Sequence, residues 1–346
     1  MSRQTNSGVP ALSIGPLALN NPVILAPMSG VSDAPFRDLA QRLGAGLVVS
    51  EMIASEMLAA QRRDVVRKAR CGASRPFVMQ LAGREARWMA EGARIATDMG
   101  ADVIDINMGC PAREVTGKLS GSALMRDPDH ASQLIEAVVS ATDLPVTLKM
   151  RLGWDRTTLN AADIARRAEA LGVRMLTVHG RTRCEFFKGM ADWRAVRAVV
   201  DAVRVPVIVN GDITSPADAL LALEQSGAAG VMVGRGAYGA PWMPGRIARV
   251  LAGGRDNGAP PLAEQAAIAC EHVARMLSHY GSALGLRNAR KHIGWYLECA
   301  GLCGVALKEW RGKLCTDDVP ARVLARLAEA YDAAEACRSD ARECAA

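Results

Sequence analysis

Eight short apolar runs recur along the first two-thirds of the 346-residue chain, and they restrict its fold more than any other feature. Each run is continuous rather than alternating, which is typical of strands buried on both faces of a parallel sheet. Amphipathic stretches of helical length separate the runs. The runs cover residues 23–28, 47–52, 76–81, 103–107, 145–150, 175–179, 206–210 and 230–234.

This alternation predicts an α/β protein with a closed (β/α)8 TIM barrel, because eight βα units occur in one chain. An open, doubly wound sheet is the alternative. Asp127 and Ser215 stand where helix N-caps are expected, each directly before a proline. The helices predicted between the runs cover residues 84–99, 128–141, 161–171 and 216–225.

After Gly239 no further strand is predicted, and the sequence pattern predicts helices from about residue 262 to residue 334. A Gly- and Pro-rich stretch over residues 253–261 predicts a linker. We therefore expect two domains, a catalytic barrel over residues 1–250 and a smaller all-α domain over residues 260–336. The helices predicted in the second domain cover residues 263–280, 287–299 and 320–334.

Composition predicts a cytoplasmic protein without a membrane partner. No apolar run approaches the roughly 20 residues of a spanning helix, and the first residues lack the apolar core of a signal peptide. The net charge of +6 suits a polyanionic partner but does not prove one. The nine cysteines include no Cys-x-x-Cys pair. Cys299 and Cys303 are interpreted as small buried helix residues rather than as part of a metal cluster with Cys315, and no metal is predicted.

Every apolar run ends in polar or Gly-rich residues. The carboxyl ends of barrel strands meet at one face, where catalytic groups collect. One such residue could be a cap or a turn, but eight ends together predict a ring of hydrogen-bonding groups around one ligand. These ends lie at residues 26–29, 50–52, 80, 107–111, 149–151, 179–181, 210–212 and 234–236.

The last two ends predict a phosphate site. Asn210-Gly-Asp212 and Gly234-Arg-Gly236 offer backbone N–H groups, and Arg235 can pair with a phosphate. Residues 234–239 also match Gly-x-Gly-x-x-Gly, but they follow the last strand, so we reject a Rossmann domain. Lys149 suits a flavin, whose reduced ring gathers negative charge; a structural ion pair is the alternative.

Cys110 lies on a Gly-Cys-Pro turn directly after the fourth run. A thiol placed at the mouth of a barrel can act as a general acid. No histidine is its obvious neighbour in sequence, so a Cys–His protease has little support.

Seven motifs appear in a fixed order along the chain. They are Ala26-Pro-Met28, Gln80, Asn107-x-Gly-Cys-Pro111, Leu148-Lys-Met-Arg151, Val178-His-Gly-Arg-Thr-Arg183, Asn210-Gly-Asp-Ile213 and Val233-Gly-Arg-Gly236. Together they strongly resemble the motifs of the tRNA-dihydrouridine synthases, over nearly the whole chain. Two further motifs, Lys118-Leu-Ser-Gly-Ser-Ala-Leu124 and Arg287-x-x-Arg-Lys-His292, indicate the bacterial B-type branch.

The resemblance implies an FMN enzyme that takes its electrons from NADPH or NADH and reduces the C5=C6 bond of particular uridines in tRNA. By that resemblance, flavin N5 delivers hydride to C6, Cys110 donates the proton to C5, and Asn107 orients the uracil. The residues implied to bind tRNA are Arg181, Arg287, Arg290, Lys291 and His292. Those implied to hold FMN are Pro27, Met28, Ser29, Gln80, Lys149, His179, Asn210, Gly211, Asp212, Gly234 and Arg235.

The chain departs from the family pattern at two positions. Thr116 stands where an Asn is expected, and Phe187 stands where a Tyr is usual. Neither residue takes part in the expected chemistry, and both concern details of substrate contact.

Two basic segments suit tRNA, and we expect a monomer that binds no DNA. Residues 287–313 carry six Lys or Arg against two Glu, a balance of +4, and residues 62–70 form a second basic helix. Two other functional hypotheses stay open. A dihydroorotate dehydrogenase-like enzyme for small pyrimidines would not need the basic helical domain. A non-catalytic RNA-binding protein would not need Gln80, Asn107, Cys110, Lys149 and His179 together.

Overall fold

The computed structural model describes residues 12–70, 72–117 and 119–343, with side chains up to residue 337, so Lys118 of the B-type motif lies outside the described residues. Eleven strands occur in this part of the chain. They are β1 (Ser13–Ile14), β2 (Leu17–Ala18), β3 (Val23–Leu25), β4 (Leu47–Val49), β5 (Ile53–Ala54), β6 (Phe77–Ala82), β7 (Val103–Met108), β8 (Val146–Arg151), β9 (Met175–His179), β10 (Val207–Asn210) and β11 (Gly230–Val233).

Eight of these strands form a closed parallel barrel. Neighbours pair in the order β4, β3, β11, β10, β9, β8, β7, β6, and a pairing between β4 and β6 closes the ring. The predicted (β/α)8 barrel is therefore confirmed, and the open sheet is wrong. The short β5 adds to the carboxyl end of β6, where Ile53 pairs with Leu81.

Fourteen α-helices accompany the strands in the described residues. The predicted caps are present: Asp127 accepts a hydrogen bond from the His130 amide and Ser215 from the Asp218 amide. The helices are α1 (Ala34–Arg42), α2 (Ser55–Ala59), α3 (Arg63–Ala69), α4 (Ala86–Asp98), α5 (Arg113–Thr116), α6 (Pro128–Val139), α7 (Ala161–Ala170), α8 (Arg197–Val200), α9 (Pro216–Ser226), α10 (Met243–Leu251), α11 (Leu262–Tyr280), α12 (Ser282–Cys299), α13 (Gly304–Cys315) and α14 (Pro320–Glu343).

The barrel interior is apolar at the amino ends of the strands and polar at their carboxyl ends. Alternate residues of a strand face the same side, so positions two apart on a strand share the interior. Along β9 these positions are Met175, Thr177 and His179. The β1–β2 hairpin contributes Leu12 and Ile14 to the apolar layer. Because apolar side chains fill the amino-terminal layer, a polar ligand has room only at the carboxyl ends.

The chain divides into two compact units. The first comprises the described part of Met1–Gly236 together with Met243–Asp256, and the second comprises Ala237–Trp242 with the described part of Asn257–Ala346. The second unit has its own core, in which Val273, Tyr296 and Leu327 are buried. No described helix is long and apolar enough to cross a membrane.

Helix α12 begins five residues earlier than the sequence predicts, at Ser282 rather than Arg287. Glycine disfavours helix interiors, so Gly285 argued for a later start. A Cβ at Gly285 would lie 2.9 Å from the Cα of Leu277, which shows how closely α11 and α12 approach. Packing between the helices therefore outweighs the local propensity.

Candidate active site

A chain of side-chain hydrogen bonds crosses the polar layer from β6 and β7 to the loop that carries Cys110. The Gln80 amide donates to the Asp105 carboxylate over 2.6 Å, and the Asn107 amide donates to the Gln80 carbonyl over 2.8 Å. The Asn107 carbonyl accepts from the backbone N–H groups of Gly109 and Cys110, at 3.3 and 3.1 Å. Parallel pairing brings these groups together, since Gln80 lies opposite Asp105 in the register.

The turn at Cys110 is held from two further sides. The carbonyl of Cys110 accepts from the Ser122 backbone N–H at 3.0 Å and from its hydroxyl at 2.8 Å. Gly121 makes this approach possible, since its φ is +60° and a Cβ there would lie 2.8 Å from the same carbonyl. Arg151 donates to the Gly109 carbonyl over 2.8 Å. The thiol of Cys110 is free and partly exposed at the mouth of the barrel.

Lys149 is a buried cation with one hydrogen-bond partner among the described residues. Its ammonium donates to the Asn210 carbonyl over 3.0 Å, and Asn210 in turn donates to the carbonyl of Met232. Burial, helped by the charge of Arg151, lowers the pKa of Lys149 to about 8. An acceptor-rich ligand that gathers negative charge would use its two remaining N–H groups and favour the charged form.

His179 stands beside Lys149 as a neutral donor. Burial and the surrounding cations, Lys149 first among them, hold the pKa of His179 well below its usual range. Arg181 lies 3.3 Å from His179 Nε2 and can only donate, so the ring proton belongs on Nδ1. Gly211 packs directly on this ring: its φ is +117°, and a Cβ would lie 2.8 Å from His179 Cδ2.

Arg181 is occupied by contacts within the loop after β9. Its side chain is 1% exposed, and it pairs with Asp212 and donates to the carbonyls of Lys188 and Gly189. This burial argues against the predicted contact of Arg181 with tRNA, because no face of the guanidinium is open to a substrate. Asp212 also pairs with Arg235 over 2.9 Å and accepts from the Ala191 amide, so only its backbone remains for a phosphate.

The arrangement fits FMN. Lys149 and His179 offer N–H donors to a ring with several acceptor atoms, and the loops after β10 and β11 offer backbone N–H groups. At Gly234 an added Cβ would meet nothing closer than 3.7 Å, so this position of the loop is not tightly packed. Met28 is among its nearest neighbours, at 3.8 Å, so the loop with Pro27 and Ser29 borders the same space.

The two departures from the family pattern lie near this mouth. Thr116 is buried, donates to the carbonyl of Ala112 and accepts from Arg183 at 3.3 Å. Phe187 is 52% exposed, and its ring centroid lies 6.4 Å from that of His179. The guanidinium of Arg235 lies 5.2 Å from the Phe187 ring, within the range of a cation–π contact.

The predicted tRNA contacts in the second unit differ in their exposure. Arg287 and Lys291 are exposed, and Arg290 is partly exposed and paired with Asp318 at 2.8 Å. His292, in contrast, is 1% exposed, and its ring packs edge-on against His272 at 4.8 Å. The prediction that His292 contacts tRNA directly is therefore not supported, because the helical spacing along α12 places this side chain on the face that packs into the core.

Four residues in or beside the polar layer were absent from the sequence-based list of site residues. Asp105, Thr147 and Arg151 face the barrel interior, and Ser122 lies in the loop after β7. The first three share the two-residue spacing of their strands with Asn107 and Lys149, a signal that was available in the sequence. Ser122 lies in the B-type motif of residues 118–124, but its bond to Cys110 depends on the path of the loop, which the sequence does not display.

Comparison with known proteins defines the class. The model of the dihydrouridine synthase (Dus) family matches residues 24–333. A probable tRNA-dihydrouridine synthase of Rhodobacter capsulatus is 56% identical over 94% of this chain and 99% of that protein. The tRNA-dihydrouridine synthase B of Pseudomonas putida is 48% identical over 83% of this chain and 86% of that protein.

The barrel also resembles solved structures of a distant dehydrogenase and a distant reductase. Histamine dehydrogenase from Rhizobium sp. 4-9 matches 72% of this chain and 48% of that chain, with a TM-score of 0.53 and 15% identity. A 2-naphthoyl-CoA reductase matches 72% of this chain and 52% of that chain, with a TM-score of 0.55 and 13% identity. At these identities the likeness concerns the fold alone.

Fold and site thus define a barrel enzyme with a polar ligand site at the carboxyl ends of its strands. The family match and the high identities go further: this chain belongs to the dihydrouridine synthase family. The resemblance predicted from the motifs, including the B-type branch, is confirmed.

Proposed function

We propose that this protein is an FMN-dependent tRNA-dihydrouridine synthase, which uses NADPH or NADH to reduce the C5=C6 bond of specific uridines in tRNA. The observation that carries the proposal is Cys110. A free thiol stands at the barrel mouth, with its backbone fixed by Asn107 and Ser122, in the same polar layer as Lys149 and His179.

FMN, when bound, supplies the hydride for the uracil ring. Lys149 would donate hydrogen bonds to the acceptor side of the flavin ring, with Gln80 and Asn210 beside it. The backbone N–H groups of residues 211–212 and 234–235 would hold the phosphate, with neutral His179 as a further donor. The loop with Pro27, Met28 and Ser29 would cover the remaining edge.

Cys110 and Asn107 would act on the uracil. The Cys110 thiol would donate its proton to C5, which completes the addition of hydrogen across the double bond. Asn107 donates one N–H to Gln80, so its second N–H has no partner among the described residues and can bind a uracil carbonyl. A uridine of folded tRNA must be turned out of its stack to reach this layer.

We assign the cofactor to the barrel, residues 1–250, and the tRNA body to the helical domain, residues 260–336. Exposed Arg287 and Lys291 on α12 support the second assignment, because clustered cations bind phosphate backbones. We further propose that the protein acts in the cytoplasm, as a monomer, on tRNA and not on DNA or membranes. Analytical ultracentrifugation with purified tRNA would test whether the protein acts as a monomer. A species that contains twice the protein mass of one chain would contradict this state.

The direct test is expression in a bacterial strain that lacks its own dihydrouridine synthases, followed by mass-spectrometric mapping of dihydrouridine in tRNA. Dihydrouridine should reappear with the wild-type protein. The Cys110→Ala variant should keep FMN and lose at least about 100-fold in rate, the range expected for a removed general acid. If wild-type protein with bound FMN formed none, turnover on free uracil or orotate would move the assignment to a small-molecule enzyme.

A further inference from the structure

We propose that Asp105 is a positioning residue for the acid Cys110 and acts on it through Gln80 and Asn107. The inference rests on the proposed function and adds to it a residue that touches neither substrate nor cofactor in the scheme above. Asp105 is 4% exposed on β7, one interior position closer to the amino end than Asn107.

The direction of each hydrogen bond follows from the chemistry of Asp105. Burial raises the pKa of Asp105, while hydrogen bonds from Thr147 and Gln80 and the charge of Lys149 oppose that shift. As a carboxylate whose two oxygens accept from Thr147 and Gln80, it fixes the Gln80 side chain with its amide nitrogen toward Asp105, at 2.6 Å. The Gln80 carbonyl must then face Asn107 and accept from its amide nitrogen. The Asn107 carbonyl is left to accept from the backbone N–H of Cys110. The Asp105 carboxylate, at the start of this series of hydrogen bonds, thereby favours one orientation of both amides.

Without that acceptor, only the backbone N–H groups of Gly109 and Cys110 remain to set the direction of the two amides. Gln80 and Asn107 each have two orientations of similar shape, and only one presents a carbonyl to the Cys110 turn. In the other orientation the Asn107 amide nitrogen would face the N–H groups of Gly109 and Cys110, and donor would oppose donor. The turn would shift, and a displacement near 1 Å at a reacting group can lower a rate by about 100-fold.

Asp105 has a second hydrogen-bond partner, which is not part of the series that leads to Cys110. Thr147 on β8 donates its hydroxyl to the other carboxylate oxygen over 2.6 Å, the same distance as the Gln80 bond. Among the residues that the structure describes, no hydrogen bond leads from Thr147 to the Cys110 turn. It therefore offers a matched control: its loss removes an equally short, equally buried hydrogen bond from the same carboxylate.

The first test compares Asp105→Leu with Thr147→Val, both purified with FMN. We expect Asp105→Leu to lower the single-turnover rate on tRNA about 30-fold or more, with little change in KM and in the reduction of FMN by NADPH. Thr147→Val should stay within about threefold of the wild type, since the bond from Gln80 that orients the two amides remains in place. Equal losses in the two variants would overturn the positioning role, because they would reflect general damage to the layer.

The second test combines each substitution with Cys110→Ala. If Asp105 acts through Cys110, Asp105→Leu should cost less than about threefold once the thiol is absent, because groups that act as a unit are not additive. The same loss with and without the thiol would overturn the proposal, because it would show that Asp105 acts through the contact of Asn107 with uracil, on the flavin or on Lys149. Should Asp105→Leu fail to fold, Asp105→Asn, which keeps the volume, is judged by the same non-additivity with Cys110→Ala.

Alkylation of Cys110 by iodoacetamide, followed by mass spectrometry of its peptide, gives a readout that does not depend on turnover. Asp105→Leu should change this rate at least threefold, and Thr147→Val should leave it unchanged. Dihydrouridine formation by the wild type is scored separately. If the wild type formed none, the proposed function would fail, and the alkylation rates would still decide whether Asp105 positions the thiol.

Discussion

At the scale of single residues, the site contains buried charged groups, and the free-energy cost of burying them opposes folding. Lys149 and Arg151 lie on one strand two residues apart, both buried, and burial lowers the pKa of each, to about 8 for the lysine and about 10 for the arginine. Neighbouring cations in a low-dielectric layer repel each other, and a ligand that brings negative charge relieves this repulsion. The site therefore binds an anion-forming cofactor at the expense of the stability of the empty protein.

The first prediction follows for Lys149→Met. The pKa of Lys149 is lower in the folded state than the 10.5 of an ordinary lysine, so the unfolded chain binds more protons between about pH 8 and 10.5. The destabilisation is fully present at pH 7 and fades as the pH rises through that window. The FMN-free variant should have a free energy of unfolding higher than the wild type by on the order of 2 kcal/mol at pH 7.

Urea unfolding of FMN-free protein at pH 7 and pH 10 measures this difference, which should shrink at the higher pH. FMN affinity of Lys149→Met should fall at least about tenfold, the loss of a buried charge-assisted hydrogen bond. Lys188→Met, at an exposed position of the loop after β9, is the control and should change neither quantity. A less stable FMN-free Lys149→Met protein at pH 7 would contradict the account.

At the scale of elements, the loop after β7 is held in place by the short 3-10 helix Gly121–Arg126 that follows Cys110. The Ser122 hydroxyl is fully buried and donates to the Cys110 carbonyl over 2.8 Å. This hydrogen bond, together with that from the Ser122 backbone N–H at 3.0 Å, connects the catalytic turn to the 3-10 helix. A loop that carries a reacting group needs such a support, because small displacements are costly in rate.

The second prediction concerns Ser122→Ala. It should lower the rate of dihydrouridine formation about tenfold and the free energy of unfolding by about 1 kcal/mol, the usual net value of one hydrogen bond. Ser132→Ala removes a hydroxyl-to-carbonyl bond of the same 2.8 Å length within α6, and should affect stability alone. Single-turnover kinetics and thermal unfolding of both variants separate the two effects. Equal rates for the two variants would remove Ser122 from the support of Cys110.

At the scale of the whole molecule, charge is the property that matches a large polyanion. The chain has a net charge of +6, and residues 287–313 alone contribute +4. On α12 the cations at Arg287 and Lys291 are four residues apart, so they lie on one face, and both are exposed. An exposed pair of this kind binds phosphates through long-range attraction that salt weakens.

The third prediction is that Arg287→Glu and Lys291→Glu each raise KM for tRNA several-fold and leave the reduction of FMN by NADPH unchanged. The slope of the logarithm of tRNA affinity against the logarithm of salt concentration should fall by about one for each cation that contacts a phosphate. Arg204→Glu is the control, because this exposed arginine precedes β10 and lies at the amino end of the barrel. Equal effects of all three substitutions would indicate only a general loss of positive charge.

Much of the fold was determined by local sequence pattern. The continuous apolar runs, the prolines after Asp127 and Ser215, and the end of strand signal after Gly239 fixed the barrel and the helical segment. Motifs at strand ends placed Cys110 and Lys149 at one face, because parallel strands bring their carboxyl ends together. These features depend on spacing along the chain, which the sequence displays directly.

Only the tertiary structure decided which polar groups meet and which are hidden. Strand register sets Gln80 opposite Asp105 and so builds the amide chain to Cys110, while loop packing buries Arg181 against Asp212. Helix packing turns His292 into the core and extends α12 through Gly285. Such contacts join residues far apart in the chain, and their energies depend on distances that exist only once the barrel has closed and the helices have packed.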